Sequence, residues 1–319
     1  MPVRTKPLLE PALLERISGL SLVARRVVEG VLHGLHRSPL HGLSIEFAQH
    51  RQYTPGDEPR RLDWRVLARS DRYVIKQYEQ ETNMRVMLLV DCSRSMAFNG
   101  AKLSALSPQS AAAEGNGESK FQYARVLAAA LSYLLLQQGD SVGLMLVGDR
   151  IVGQVAPRAA AGHVVGLCQV LERAAPAGPT NLAAVIAQVA ARLRRRSLVV
   201  VISDLLDDPD AVLSALGQTA HRGHEVVVFQ VLDPRELEFD LGLAASGVTI
   251  IRDMETGAEF EAEPQLVREH VRDEVRRFCD RLDAGARAHG VDLIRCRTSE
   301  PAERVLTKYL RSRLRGKRR

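Results

Sequence analysis

The residues of this chain that could act together in chemistry are few, and most carry oxygen. Asp91, Ser93 and Ser95 occupy alternate positions in Asp91-Cys92-Ser93-Arg94-Ser95-Met96, directly after the apolar run Val86 to Val90. A second acid, Asp204, follows another such run, Leu198 to Ile202, with Ser203 between. Thr180, in Pro176-Ala-Gly-Pro-Thr180-Asn181, supplies a third hydroxyl at the start of a helical pattern. Short β-branched runs bounded by turns are the mark of strands covered on both faces. In open α/β sheets, ligands gather beyond the carboxyl ends of such strands, where the strand order reverses. A carboxylate taken out of water there needs compensation. Two carboxylates and three hydroxyls, with no imidazole or thiolate, suit Mg²⁺ or Mn²⁺ better than Zn²⁺. Mg²⁺ takes roughly six oxygens at about 2.0–2.1 Å and keeps water, so such a set leaves a position open for an external carboxylate.

Each residue also has an ordinary structural explanation. Ser93 or Ser95 alone would more often cap a helix or shape a turn. Thr180 precedes a helix beginning near Asn181 and is placed to cap it. Asp204 alone could be a helix cap or a turn former. Singly the structural roles are favoured; at two strand ends and one helix start, in this order, the five residues together favour a metal site.

The elements that must position them alternate along the chain. Apolar residues at helical spacing (Leu13, Ile17, Leu20, Val27, Val31, Leu35) put a helix or two within residues 8–36. A polar, Arg- and Asp-rich stretch follows to about residue 72, and residues 73–78 read as a short alternating strand. Strands are expected at 86–90, 141–147, 198–202, 225–232, 248–251 and 291–295, and helices at 120–138, 159–174, 181–196 and 264–289. This alternation predicts an α/β fold, a doubly wound, mostly parallel sheet, preceded by an N-terminal helical and extended segment. The expected division is a segment 1–80, a sheet domain 81–313 and a basic tail 314–319. Residues 99–119, rich in Gly, Ala and Ser, bury too little apolar surface to order themselves and read as a mobile insertion beside the Asp91 loop.

Composition narrows the functional class. Of 319 residues, 45% are hydrophobic and 26% charged, as in ordinary soluble proteins, and no apolar run reaches the roughly 18 residues of a membrane span. The start of the chain lacks the apolar core of a secretory signal. The four cysteines, Cys92, Cys168, Cys279 and Cys296, show no CxxC spacing, which argues against a zinc site or a disulfide framework. A reducing cytoplasm is the expected compartment. Seven basic residues lie between Lys308 and Arg319; removing them from the net charge of +6 leaves −1. The basicity is local, and a solvated helix end explains it better than a nucleic-acid surface.

Asp91-x-Ser93-x-Ser95 with a distant Thr180 and Asp204 resembles the metal-ion-dependent adhesion site of von Willebrand factor A domains, from about Arg85 to the C-terminal helix. Upstream, the segment Ser44 to Trp64, with Arg51, Tyr53, Pro55-Gly56-Asp57, Arg60, Asp63 and Trp64, and then Arg69, is similar to the signature of a bacterial family catalogued as a domain of unknown function, number 58. The resemblance implies the A-type fold, and a role beside AAA+ ATPases of the MoxR kind in assembling or activating client proteins. Trp64 and the Arg/Asp pairs read as fasteners of this segment to the sheet, the preferred view, or as an ATPase-facing surface.

The residues expected to act are therefore Asp91, Ser93, Ser95, Thr180 and Asp204, holding Mg²⁺ or Mn²⁺ and docking an acidic residue of a client or of the ATPase. No catalytic residue is assigned. Ser93 has no histidine within its motif, His163, His221 and His224 show no spacing that pairs them, and no P-loop or GxGxxG occurs. A metal-dependent hydrolase, or a tail that binds nucleic acid or an anionic surface, are the alternatives.

Overall fold

The computed structural model describes residues 19–36, 50–52, 74–76, 84–100, 118–239, 249–252, 259–262 and 264–316. In chain order, α1 (Gly19–His36) is followed by the short antiparallel pair β1 (His50–Gln52) and β2 (Val74–Lys76). Then come β3 (Arg85–Asp91), a 3-10 turn (Arg94–Ala97), α2 (Lys120–Gln137), β4 (Ser141–Val147), β5 (Ile151–Arg158), α3 (His163–Arg173) and α4 (Leu182–Arg192). The second half holds β6 (Ser197–Ser203), α5 (Pro209–His221), β7 (Glu225–Leu232), α6 (Pro234–Glu238), β8 (Thr249–Arg252), β9 (Glu259–Ala262), α7 (Pro264–Ala288), β10 (Asp292–Arg297) and α8 (Ala302–Gly316). The expected insertion falls mostly outside the described residues, at 101–117, as do Arg60, Asp63, Trp64, Arg69 and the last three residues of the basic tail.

Six strands form one sheet in the order β10-β7-β6-β3-β4-β5. All neighbours are parallel except β5, which runs antiparallel to β4 at the edge. The order reverses at β3 and β6: from β3 the chain moves outward through β4 and β5, then returns to β6 and moves the other way through β7 and β10. The doubly wound α/β fold is the one expected. Successive side chains of a strand face opposite sides of a sheet, and the two cores follow that alternation. Val86, Leu88 and Val90 pack with Val200 and Ile202 beneath α1, α2, α3 and α8. Met87 and Leu89 pack with Val199 and Val201 beneath α4, α5 and α7.

Helix α2 is apolar almost all round, burying Phe121, Ala124, Leu127, Ala128, Leu131 and Leu135 among others. A helix of this kind must be covered on both sides. The sheet covers one; α1 lies on the other, contributing Ala24, Val28 and Val31 to the same core. The N-terminal helix is thus part of the packed body.

Several elements were not foreseen. β5 alternates half-buried and exposed positions and carries Pro157, which the edge of a sheet tolerates because one side of the strand needs no ladder partner. Helix α5 begins with Asp208, whose carboxylate accepts from the Asp210 and Ala211 amides, and with Pro209 in its first turn, a strong start signal. The strand expected at 248–251 exists as β8, but it pairs with β9 in a separate ribbon and takes no part in the main sheet. Much of the basic C-terminus belongs to α8, where Lys308 pairs with Glu300 at 2.6 Å and Arg313 with Glu225 and Tyr309. Among the described residues, no helix is long and apolar enough to cross a membrane.

Val28→Asp on α1 should destabilise the protein by about 3 kcal/mol or more, because it places an unpaired charge between α1 and α2. Urea unfolding checks this; a loss below about 1 kcal/mol would mean that α1 is not part of the folding unit.

Candidate metal centre

Asp91 is the last residue of β3, where the sheet order reverses, and is 1% exposed. Its Oδ1 accepts the Ser93 amide at 2.8 Å, which folds the chain into a tight turn. Its Oδ2 accepts the Ser203 hydroxyl at 2.5 Å, stitching the end of β3 to the end of β6. Ser203 in turn accepts the Leu205 amide at 2.9 Å. Leu205 sits at φ 61, a left-handed conformation that costs a non-glycine residue about 1 kcal/mol or more. Ser203 was given no role from the sequence; its signal was a hydroxyl at a strand end immediately before an acid.

Ser93 and Ser95 are both buried, with Oγ atoms 3.0 Å apart. Ser93 precedes the 3-10 turn yet makes no side-chain capping bond to it, so capping does not account for it. Thr180 is half-buried in a loop laid directly on the Asp91 turn. The Arg94 amide donates to Gly178, the Ala177 amide to Cys92, and the Asn181 amide to Gly148. Thr180 does not cap α4 either. The first free amides of that helix, Leu182 and Ala183, are taken by Asp207 Oδ2 at 2.9 and 3.5 Å.

Asp204, 1% exposed, follows β6. Its Oδ1 accepts the Leu206 amide at 3.1 Å, which closes a turn, and its backbone carbonyl accepts from the Gln230 side chain. The helix that follows has Asp208 as its cap, so the turn is the structural role Asp204 keeps. Its Oδ2 receives the ammonium of Lys120 at 2.8 Å. Lys120, the first residue of α2, is 0% exposed, and its Nζ also reaches Glu236 Oε1 of α6 at 2.7 Å. Burial works against the charge on Lys120, but the two carboxylates outweigh it and hold its pKa above the ordinary lysine value. The sequence reading missed Lys120 and Glu236. Their signals were a lysine opening an otherwise apolar helix and the Asp233-Pro-Arg-Glu236 capping box.

Electrostatics set this place apart. Burial, and then the nearby charge of Asp204, push the Asp91 carboxyl up to about 6 against the hydrogen bonds from Ser203 and Ser93. Two carboxylates out of water within reach of each other disfavour double ionisation; the Lys120 ammonium offsets part of this at Asp204, and a divalent cation is one group that would relieve the rest. The donors are all oxygen, which fits Mg²⁺ or Mn²⁺. Among the described residues no three or more His, Cys, Asp or Glu side chains come together as metal ligands, so a site here depends on the hydroxyls.

The three histidines weighed from the sequence, His163, His221 and His224, lie away from this edge. His163 reaches the Val142 carbonyl near the start of β4, His221 bonds within α5 to Gly217, and His224 precedes β7. All are near the amino ends of the strands, opposite Asp91.

The strand order therefore reverses beside a carboxylate turn at the carboxyl edge of an open, mostly parallel α/β sheet. A family model described as "Protein of unknown function DUF58" matches residues 49–281, and the chain belongs to that family. It is 30% identical over 312 residues to an uncharacterized protein of Mycobacterium tuberculosis and to one of Mycobacterium bovis, covering 96% of this chain and 92% of each relative. Among solved structures, it is similar to the conserved hypothetical protein BatB of Bacteroides thetaiotaomicron (14% identity, 72% of this chain and 98% of that one, TM-score 0.45). It is also similar to the SpRpn10 VWA domain (12% identity, 70% and 94%, TM-score 0.37).

The raised Asp91 pKa gives a signed pH dependence. Between the ordinary 3.8 and about 6 the native state keeps a proton that the unfolded chain has released, so this contribution to stability falls as pH rises through that window and is flat above it. In EDTA, Asp91→Asn should gain on wild type across that interval, by an amount on the order of 3 kcal/mol. Denaturant titrations at pH 4.5 and 7 read the difference; parallel curves would show that Asp91 ionises without penalty.

Proposed function

We propose that this chain is a metal-dependent protein-interaction module. Asp91, Ser93, Ser95, Thr180 and Asp204 would hold one Mg²⁺ or Mn²⁺, and an acidic residue of a partner would complete its coordination. The bound ion would supply an electrophilic point for that carboxylate. This chain's own part is to hold the oxygens, exclude bulk water and present the rim.

The observation that carries the reading is the pair of buried acids at the strand-order reversal, with the Ser93 and Ser95 hydroxyls and the Thr180 loop tied around Asp91. Leu206, 42% exposed and two residues from Asp204, gives the rim an apolar contact of the kind that anchors protein partners. The family resemblance supports the wider role: an adaptor working with a MoxR-type AAA+ ATPase, which would provide the work of ATP hydrolysis while this chain recognises the ATPase or its client.

Pull-down of the cognate ATPase by the full chain tests this. Capture should be lost in EDTA, restored by Mg²⁺ and abolished by Asp91→Ala, whose circular dichroism should match wild type. Deleting residues 314–319 should leave capture intact. Capture that ignores EDTA and Asp91→Ala but falls steeply with salt and with loss of the tail would move the binding surface to the basic C-terminus.

A further inference from the structure

Lys120 is a complete side chain hidden in the protein, 0% exposed, with its ammonium on Asp204 Oδ2 at 2.8 Å and Glu236 Oε1 at 2.7 Å. Its aliphatic stem leads from the first turn of α2, and the ring of Phe98 lies 5.7 Å from Nζ. A lysine of this kind is held by its partners alone, since water cannot reach it. The partners join three regions: Asp204 follows β6, Lys120 opens α2, and Glu236 belongs to α6 at the corner after β7. Glu236 Oε2 also accepts the Asp233 amide, while Asp233 Oδ2 accepts the Gly100 amide at 3.3 Å and the Thr298 hydroxyl at 3.1 Å. The Lys120 amide itself donates to Phe98 at 3.1 Å. The α6 corner therefore holds Gly100 and Lys120, and through Lys120 it reaches Asp204.

We propose that Lys120 is the resident cation of Asp204, competing with a divalent ion for that carboxylate and linking metal capture to the α6 corner through Glu236. The inference rests on the metal-dependent reading above and adds a determinant to it. Without a divalent ion, the ammonium neutralises one of the two strand-end acids, so the fold does not depend on metal. A cation arriving beside Asp204 meets an existing positive charge a few ångströms away, an unfavourable interaction that the low local dielectric strengthens. Full engagement of Asp204 leaves Glu236 as the remaining carboxylate partner of Lys120, so loading alters the load on α6.

Two variants separate this role from simple packing. Lys120→Met keeps most of the stem's bulk and removes the charge. Lys120→Met/Glu236→Gln removes one charge of each sign, so the local net charge stays as in wild type while Asp204 Oδ2 is set free. Mn²⁺ binding to the purified full chain, read by electron paramagnetic resonance of the free ion, should tighten at least tenfold in Lys120→Met and severalfold in the double variant. In EDTA, Lys120→Met should melt well below wild type and recover with Mg²⁺, and the double variant should melt between them. Double-variant binding equal to or weaker than wild type overturns the proposal, because Lys120 would then orient Asp204 rather than compete for it. Binding by none of the three proteins removes the metal reading itself and the inference with it. Binding by the variants but not by wild type is the strongest form of the proposal, with Lys120 holding Asp204 to the exclusion of the ion.

Discussion

The constraint on which this structure turns is the burial of two carboxylates where the strand order reverses. Asp91 and Asp204 cannot both sit out of water beside each other as free anions without a large penalty. The surrounding architecture answers that problem piece by piece. The Ser93 amide and the Ser203 hydroxyl take the two oxygens of Asp91. The Leu206 amide and the Lys120 ammonium take those of Asp204. The asymmetry matters: Asp204 has a formal positive charge against it, whereas Asp91 has only dipoles, and burial raises the Asp91 pKa. The uncompensated negative charge is therefore concentrated at the turn that also carries the two serine hydroxyls.

The central position of these groups also explains why the supporting elements are as apolar as they are. β3 and β6 deliver the acids from the middle of the sheet, and strands in that position must be covered on both faces, hence their unbroken runs of Val, Leu and Ile. α2 must bring Lys120 down to the level of Asp204, so its first turn is buried along with its body, and the helix needs α1 as an outer cover. The N-terminal helix, remote from the acids in sequence, covers the outer side of the helix that carries Lys120.

What could be read from the residues alone follows the range of the interactions. The runs ending in Asp91 and Asp204 are local patterns, and they correctly placed both acids at parallel strand ends. The alternation of strands and helices gave the fold class. Edge strand β5 escaped because Gly153 and Pro157 disguise its period, and α5 because small residues such as Ala215 and Gly217 fill its buried face. The capping alternative weighed for Thr180 was a sound local inference that a distant residue displaces, since Asp207 reaches the α4 amides from another loop. Lys120 lay further beyond reach. A lysine at the start of a helix ordinarily snorkels to water, and only partners 84 and 116 residues away in the chain reveal that this one does not.

That hidden lysine also bears on how a site of this type can be selective in time. A metal turn backed by carboxylates alone would fill at low ion concentrations and stay filled, because each added negative ligand deepens the well for a divalent cation. In the proposed site, an ammonium on one carboxylate would make the well shallower without removing the ligand, and its second bond to Glu236 would give it somewhere to remain if Asp204 engaged an ion. Since Glu236 also closes the capping box of α6, a change in its charge environment acts on the end of a short helix whose own hydrogen bonds are few. Short elements of this sort have little independent stability. The corner after β7 would therefore feel a change in the partners of Asp204 through Lys120 and Glu236.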